Sequence, residues 1–180
     1  MKKLSLIFYA CIAFSISSCK DTSKQTEPEV VTVNNAEPKT YEIAQTEAEF
    51  NDPKVQAIFE QYVQVETALV NTDASKTAVE SAKLETLLKE MNADEATQTA
   101  VSAMATSEDV KVQRQNFETL SLGVESILKG ALKSGTLYKQ YCPMAFNNKG
   151  AYWISTSKDI LNPYFGDKML KCGRVDSEVK

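Results

Sequence analysis

From Pro53 to Ala131 the chain repeats one pattern: apolar residues three and four apart, interrupted by short polar punctuation. That spacing gathers the apolar side chains of each run on one face of an α-helix, and such a face has to be buried. In the first run Asp52 can cap, Pro53 suits a first turn, and Val55, Ile58, Phe59, Tyr62, Val65 and Leu69 form the stripe of a helix over about 53–71. Asn71-Thr72-Asp73 ends it. A second helix over about 75–91 carries Val79, Ala82, Leu84, Leu87, Leu88 and Met91, and Asn92-Ala93-Asp94 follows. A third, over 95–105, is weaker, with Ala96, Ala100, Val101 and Met104. The fourth, over 108–133, has Ser107 as its cap and Val110, Phe117, Leu120, Val124, Ile127, Leu128 and Ala131 as its stripe, with Gly135 closing it. Four amphipathic helices on short connections predict a mainly α fold, an up-and-down four-helix bundle with Phe117 at its centre and Met91 and Met104 in its core. The acidic pairs Asp94-Glu95 and Glu108-Asp109 stand at helix starts, where negative charge is favourable, and capping explains them better than catalysis.

What precedes the helices sets an address. Met1-Lys2-Lys3 is a positive start, and Leu4 to Ile16 is apolar but short for a bilayer span. The run ends in Ile16-Ser17-Ser18-Cys19, which resembles the lipobox of bacterial lipoproteins. The resemblance implies that residues 1–18 are a signal peptide and that Cys19 carries the lipid. Lys20 rather than Asp follows, which favours the outer membrane of a Gram-negative cell envelope. Residues 19–50, with Pro28, Pro38, scattered Glu and Thr and no periodicity, read as a flexible tether between that membrane anchor and the domain at 51–180.

Composition then removes function classes. The chain has no histidine, so no Ser-His-Asp triad, Cys-His pair, HExxH zinc site or His-ligated haem can be assembled. Its formal charge is −4, and loss of Lys2 and Lys3 with the signal peptide makes it −6. Nucleic-acid binding depends on clustered Lys and Arg, and is not expected here. An enzyme is not expected either, since a thiolate without histidine has no obvious base.

Of four cysteines, Cys11 leaves with the signal and Cys19 is lipidated, so Cys142 and Cys172 remain as thiols. Each has a methionine at a spacing that can share its face: Cys142 with Met144 on an extended segment, Met169 with Cys172 on a helical turn. The four sulfurs can therefore converge as a soft ligand set that favours Cu(I), with Ag(I) as a substitute. A Cys142–Cys172 disulfide is the alternative, suited to an oxidising compartment, with the methionines as packing. Structural zinc wants four Cys or His ligands, and calcium has no Asp-rich loop here. The tail around these residues, 138–175, reads as a small aromatic appendage on one end of the helices. It would hold a short hairpin of Tyr141–Phe146 with Ala151–Ser155, one helical turn over Ser157–Leu161, and a corner at Asn162-Pro163-Tyr164-Phe165-Gly166.

Several of these motifs together resemble the bacterial envelope family DUF3347, a domain of unknown function. They are Tyr141-Cys142-Pro143-Met144-Ala145, Trp153-Ile154-Ser155, Asn162 to Gly166, and Met169-Leu170-Lys171-Cys172-Gly173. Arg114-Gln115-Asn116-Phe117 and Leu120-Ser121 resemble its helical part, so that the likeness runs from Val55 to Val175. That family occurs alone and fused to adaptor subunits of copper and silver efflux systems. The resemblance implies envelope metal handling, with an efflux adaptor or another envelope protein as partner. In a related heavy-metal-binding motif a histidine follows Cys-Pro-Met, whereas Ala145 stands here, leaving all-sulfur ligation or no metal.

Overall fold

The structure, a computed structural model, describes residues 39–180. The expected signal peptide, the expected lipid site Cys19 and most of the expected tether lie outside those residues. About half of the described residues are helical, and two small antiparallel sheets complete the fold.

Helices α1 (Pro53–Val70), α2 (Ala74–Glu90), α3 (Glu95–Ala105) and α4 (Val110–Leu128) start alike. Asp52, Asp73, Asp94 and Asp109 each turn a carboxylate onto a backbone N–H two or three residues on, satisfying a donor that the helix itself leaves free. Asp109, not Ser107, therefore caps α4; the Ser107 hydroxyl instead accepts from the Asp109 N–H. Consecutive helices pack on each other and α4 returns to α1. Their shared core holds Phe59, Tyr62, Leu69, Leu84, Leu88, Met104, Phe117 and Leu120, all with no exposure. Burying such a side chain contributes roughly 1.5–3 kcal/mol. On α2 the buried face runs through Thr77, Ser81, Leu84 and Leu88, and Val79 is 55% exposed, so it does not belong to the stripe.

The fourth helix is shorter than its sequence pattern suggests. It stops at Leu128, the chain turns through Gly130, and Leu132–Ser134 forms strand β2 against β1 (Glu49–Phe50). Gly135 lies beyond, in the turn after β2, rather than at a helix end. Residues 39–50 are likewise not a free tether. Tyr41 and Asn71 exchange two hydrogen bonds of 2.8 Å, Ala48 and Phe50 are buried, and the Ala44 carbonyl accepts from Thr156.

The C-terminal appendage is a three-stranded sheet in the order β4–β3–β5, from Ala151–Ser155, Leu137–Cys142 and Arg174–Val179. The expected hairpin exists, but its first strand begins four residues earlier, and the β5 strand was not signalled. Ser157–Asp159 is a series of bends, not a helical turn, and the short 3-10 turn falls at Gly166–Met169.

Strand β4 is wedged into the helical core. Trp153 is fully buried and meets Tyr164 edge to face, and Tyr164 in turn lies beside Phe117. The side of β4 turned away from β3 has no strand partner. Two tyrosines take its place: the Ile154 N–H donates to the Tyr62 hydroxyl at 3.2 Å, and the Tyr164 hydroxyl donates to the Tyr152 carbonyl. Arg114 of α4 joins the layers, donating to Leu69 and Pro163 carbonyls.

Candidate functional site: a thiol pair behind the sheet

Cys142 is the last residue of β3, set opposite Ala151 of β4, and is fully buried. The alternation of β3 sends Gln140 and Cys142 to the same side. There Gln140 donates to the Ser157 and Asp159 carbonyls at 2.8 and 3.2 Å, fixing the chain that leaves β4.

Cys172 reaches the same place by another route. Asn162, fully buried, is the hub of the loop that carries it. Its amide donates to the Cys172 carbonyl at 2.6 Å, its oxygen accepts from the Tyr164 N–H at 2.8 Å, and its backbone N–H donates to the Leu170 carbonyl at 2.9 Å. Next in the chain, Gly173 fits because it lacks a side chain: a Cβ there would lie 3.0 Å from the Trp153 ring and 3.1 Å from the Tyr141 carbonyl.

The result is a pair of free thiols with their sulfurs 3.7 Å apart. Cys172 is only partly buried, so the pair has one side toward solvent. Desolvation, and then the neighbouring Cys142 thiol, push the Cys172 thiol above its ordinary value. At this separation two reactions are open to the pair: exchange of both thiol protons for one soft cation, or loss of two protons and two electrons to an external oxidant to form a disulfide.

Of the four expected sulfur ligands, the two thiols are brought together. Met144 is 46% exposed, Met169 lies in the 3-10 turn, and no hydrogen bond links either thioether to a thiol. Among the described residues no group of three or more Cys, Asp or Glu side chains gathers as a metal site. A broad hollow of about 780 Å³ against α2 and α3, lined by Glu85, Lys89, Gln98 and Ser102, carries neither thiol. Met144 opens an unusual connection. Between β3 and β4, Phe146, Asn147 and Asn148 all have φ between 49° and 66°, a left-handed turn that costs about 1–2 kcal/mol per residue away from Gly and Asn. Gly150, with φ 81°, follows because a Cβ there would collide with the Tyr141 hydroxyl.

One buried group escaped the sequence reading. Glu66 of α1 has no exposed surface, and neither carboxyl oxygen has a hydrogen-bond partner. Its signal was there: it stands four residues after Tyr62 and three before Leu69, on the apolar stripe itself. Among the described residues no helix is long and apolar enough to cross a membrane.

A model of the family described as a protein of unknown function (DUF3347) matches residues 58–135. The match covers most of the helical layer and ends before β3, so neither thiol falls within it. No curated protein and no solved structure matches the chain.

Proposed function

We propose that the chain, whose residues 58–135 match the DUF3347 family model, is an envelope lipoprotein whose reduced Cys142–Cys172 pair captures one Cu(I) ion and buffers it or passes it to an efflux system. The 3.7 Å approach of two thiols lying 30 residues apart in sequence carries this reading. Two thiolates suffice for a soft monovalent ion, so the lack of a third ligand is no obstacle, and Ag(I) would substitute. The partly exposed Cys172 offers a way in, while the buried Cys142 shields the ion from competing ligands. Met144 and Met169 are left with, at most, weak outer thioether contacts. Because binding displaces thiol protons, affinity should rise with pH.

The rest of the proposal follows the sequence. Residues 1–18 are a signal peptide, Cys19 carries the lipid, and the protein sits in the envelope of a Gram-negative bacterium, at the outer membrane. The helices form an up-and-down four-helix bundle that presents the thiol pair to an efflux adaptor or another envelope protein, with no catalysis and no nucleic acid involved.

A second reading is favoured by the burial of Cys142 and the exposure of Met144. The pair would be oxidised to a disulfide, clamping β3 to the loop before β5 in an interaction module without metal. Closing a 30-residue loop would contribute about 3–4 kcal/mol. A competition titration of the reduced protein with a Cu(I) chelator separates the two. One Cu(I) per chain is expected for the wild type, none for Cys142→Ser or Cys172→Ser, and slightly weaker binding for Met144→Leu. Equal copper retention by the wild type and the double serine variant would overturn the metal reading and leave the clamp.

A further inference from the structure

Glu66 has an environment that no ionised carboxylate tolerates unaided. It is fully buried, both oxygens lack partners, and no Lys or Arg forms an ion pair with it among the described residues. The groups around it come from every element packed there. Tyr62 stands one turn earlier on α1. Helix α4 sets Ser121 on the Tyr62 hydroxyl, and its Glu125, engaged by Lys139 of β3 at 2.7 Å, faces Tyr62 while its Glu118 faces Tyr164. Tyr164 comes from the C-terminal corner and Trp153 from β4. Charge on Glu66 is felt unfavourably by both tyrosines, and Lys149 faces Glu118 rather than Glu66. Only the Trp153 indole N–H would favour the charged form, and its Nε1 also fails to reach hydrogen-bond geometry with any acceptor.

We propose that Glu66 is a proton-operated latch: as the neutral acid it lets α1 close on β4 and Trp153, and its ionisation loosens the C-terminal sheet that holds the thiol pair. The mechanical link is short. Trp153 is the wall against which Gly173 packs, and Gly173 follows Cys172 directly. Next to Trp153, Ile154 depends on the Tyr62 hydroxyl for its backbone partner, one turn of α1 from Glu66. A carboxylate seeking water in this position has to disturb the packing around Tyr62 and Trp153, and Gly173, which follows Cys172, lies against the same indole. This inference does not depend on copper binding and holds whichever state the thiols occupy.

The sign follows from proton linkage. Burial raises the Glu66 carboxyl well above its ordinary value, so the folded protein keeps a proton that the unfolded chain gives up. Stability is then fully present below the ordinary Glu value near 4.5 and is lost as pH rises toward the folded-state value. Within that window the folding equilibrium constant should fall about tenfold per pH unit from this group alone. Tyr62 and Tyr164 are both pushed upward from an already high value and do not titrate there. Glu118, which burial raises on α4, titrates in the same direction and needs its own control.

The test is denaturant unfolding from pH 5 to pH 8, followed by the fluorescence of Trp153, the only tryptophan in the chain. The wild type should lose stability with rising pH relative to Glu66→Gln, and Glu118→Gln should keep most of the wild-type slope. Thiol labelling of the folded wild type should accelerate with rising pH by more than thiol ionisation explains, with the excess absent in Glu66→Gln. Parallel stability profiles for the wild type and Glu66→Gln would overturn the latch. Should Glu66→Gln fail to fold, carbon-13 NMR titration of the wild-type side chain decides: a midpoint above the ordinary Glu value supports the proposal, and one at or below it overturns it.

Discussion

The helical layer and the C-terminal sheet answer the same physical demand, satisfying polar groups that folding removes from water, by opposite means. In the helices the answers are local. Four aspartates cap four helix starts from two or three residues away, and Asn92 lets α2 finish within one turn. In the sheet they are remote. Ile154 depends on Tyr62, Thr156 on Ala44, and the corner at Pro163 on Arg114, with partners 49 to 112 residues apart. Local bonds form at little cost in chain entropy, whereas distant ones require a large loop to close first. The thiol pair and Glu66 belong to the second kind, assembled only when the sheet has docked.

Three substitutions probe that distinction, in order of expected effect. Phe117 is fully buried and stacks on Tyr62 with ring centroids 5.2 Å apart, on the seam between the layers. Phe117→Ala should destabilise by about 3–5 kcal/mol in equilibrium denaturation, and a loss under about 1 kcal/mol would remove it from the seam. Tyr62→Phe keeps the ring and deletes the hydroxyl shared by Ser121 and Ile154. A cost of about 1–3 kcal/mol is expected, with hydrogen exchange accelerated at the Ile154 amide before any helix amide. Asp94→Ala removes one cap and should cost about 0.5–2 kcal/mol, with exchange faster only at the start of α3. If Asp94→Ala disturbed the sheet as much as Tyr62→Phe does, the contrast between the layers would fail.

The same contrast explains what the sequence made legible. Helical spacing is a local signal, and α1 to α4 stand where it points, with α4 cut short because Ala131 and Leu132 continue the apolar pattern while belonging to a turn and a strand. Asp109 outcompeted Ser107 as a cap because α4 begins three residues beyond Ser107, too late for its hydroxyl. In the sheet, β4 showed itself through its aromatic residues, but β5, with exposed Arg174, Asp176, Ser177 and Glu178, has only Val175 and Val179 half-buried to betray it. Strand β1 is two residues long and gains its identity only from β2. For the site, the pairing of Cys142 with Cys172 was within reach because they are the sole thiols of the tail. The positions of Met144 and Met169 were not, since the left-handed turn at Phe146–Asn148 and the 3-10 turn decide where those side chains go. Glu66 was overlooked for a simpler reason: a charged residue on an apolar stripe is easily taken for a boundary residue.

The two tyrosine hydroxyls that cover β4 also govern how this protein can meet its neighbours. A bare strand edge invites another chain to add itself, and that route to fibres or unwanted dimers is closed on this side before any partner arrives. The sheet can grow only beyond β5, where the exposed charges of Arg174, Asp176 and Glu178 make a flat, uncharged intruder a poor match. Protection against sticking to its own copies is thereby supplied, on this side of the sheet, by two phenols buried in the protein's interior.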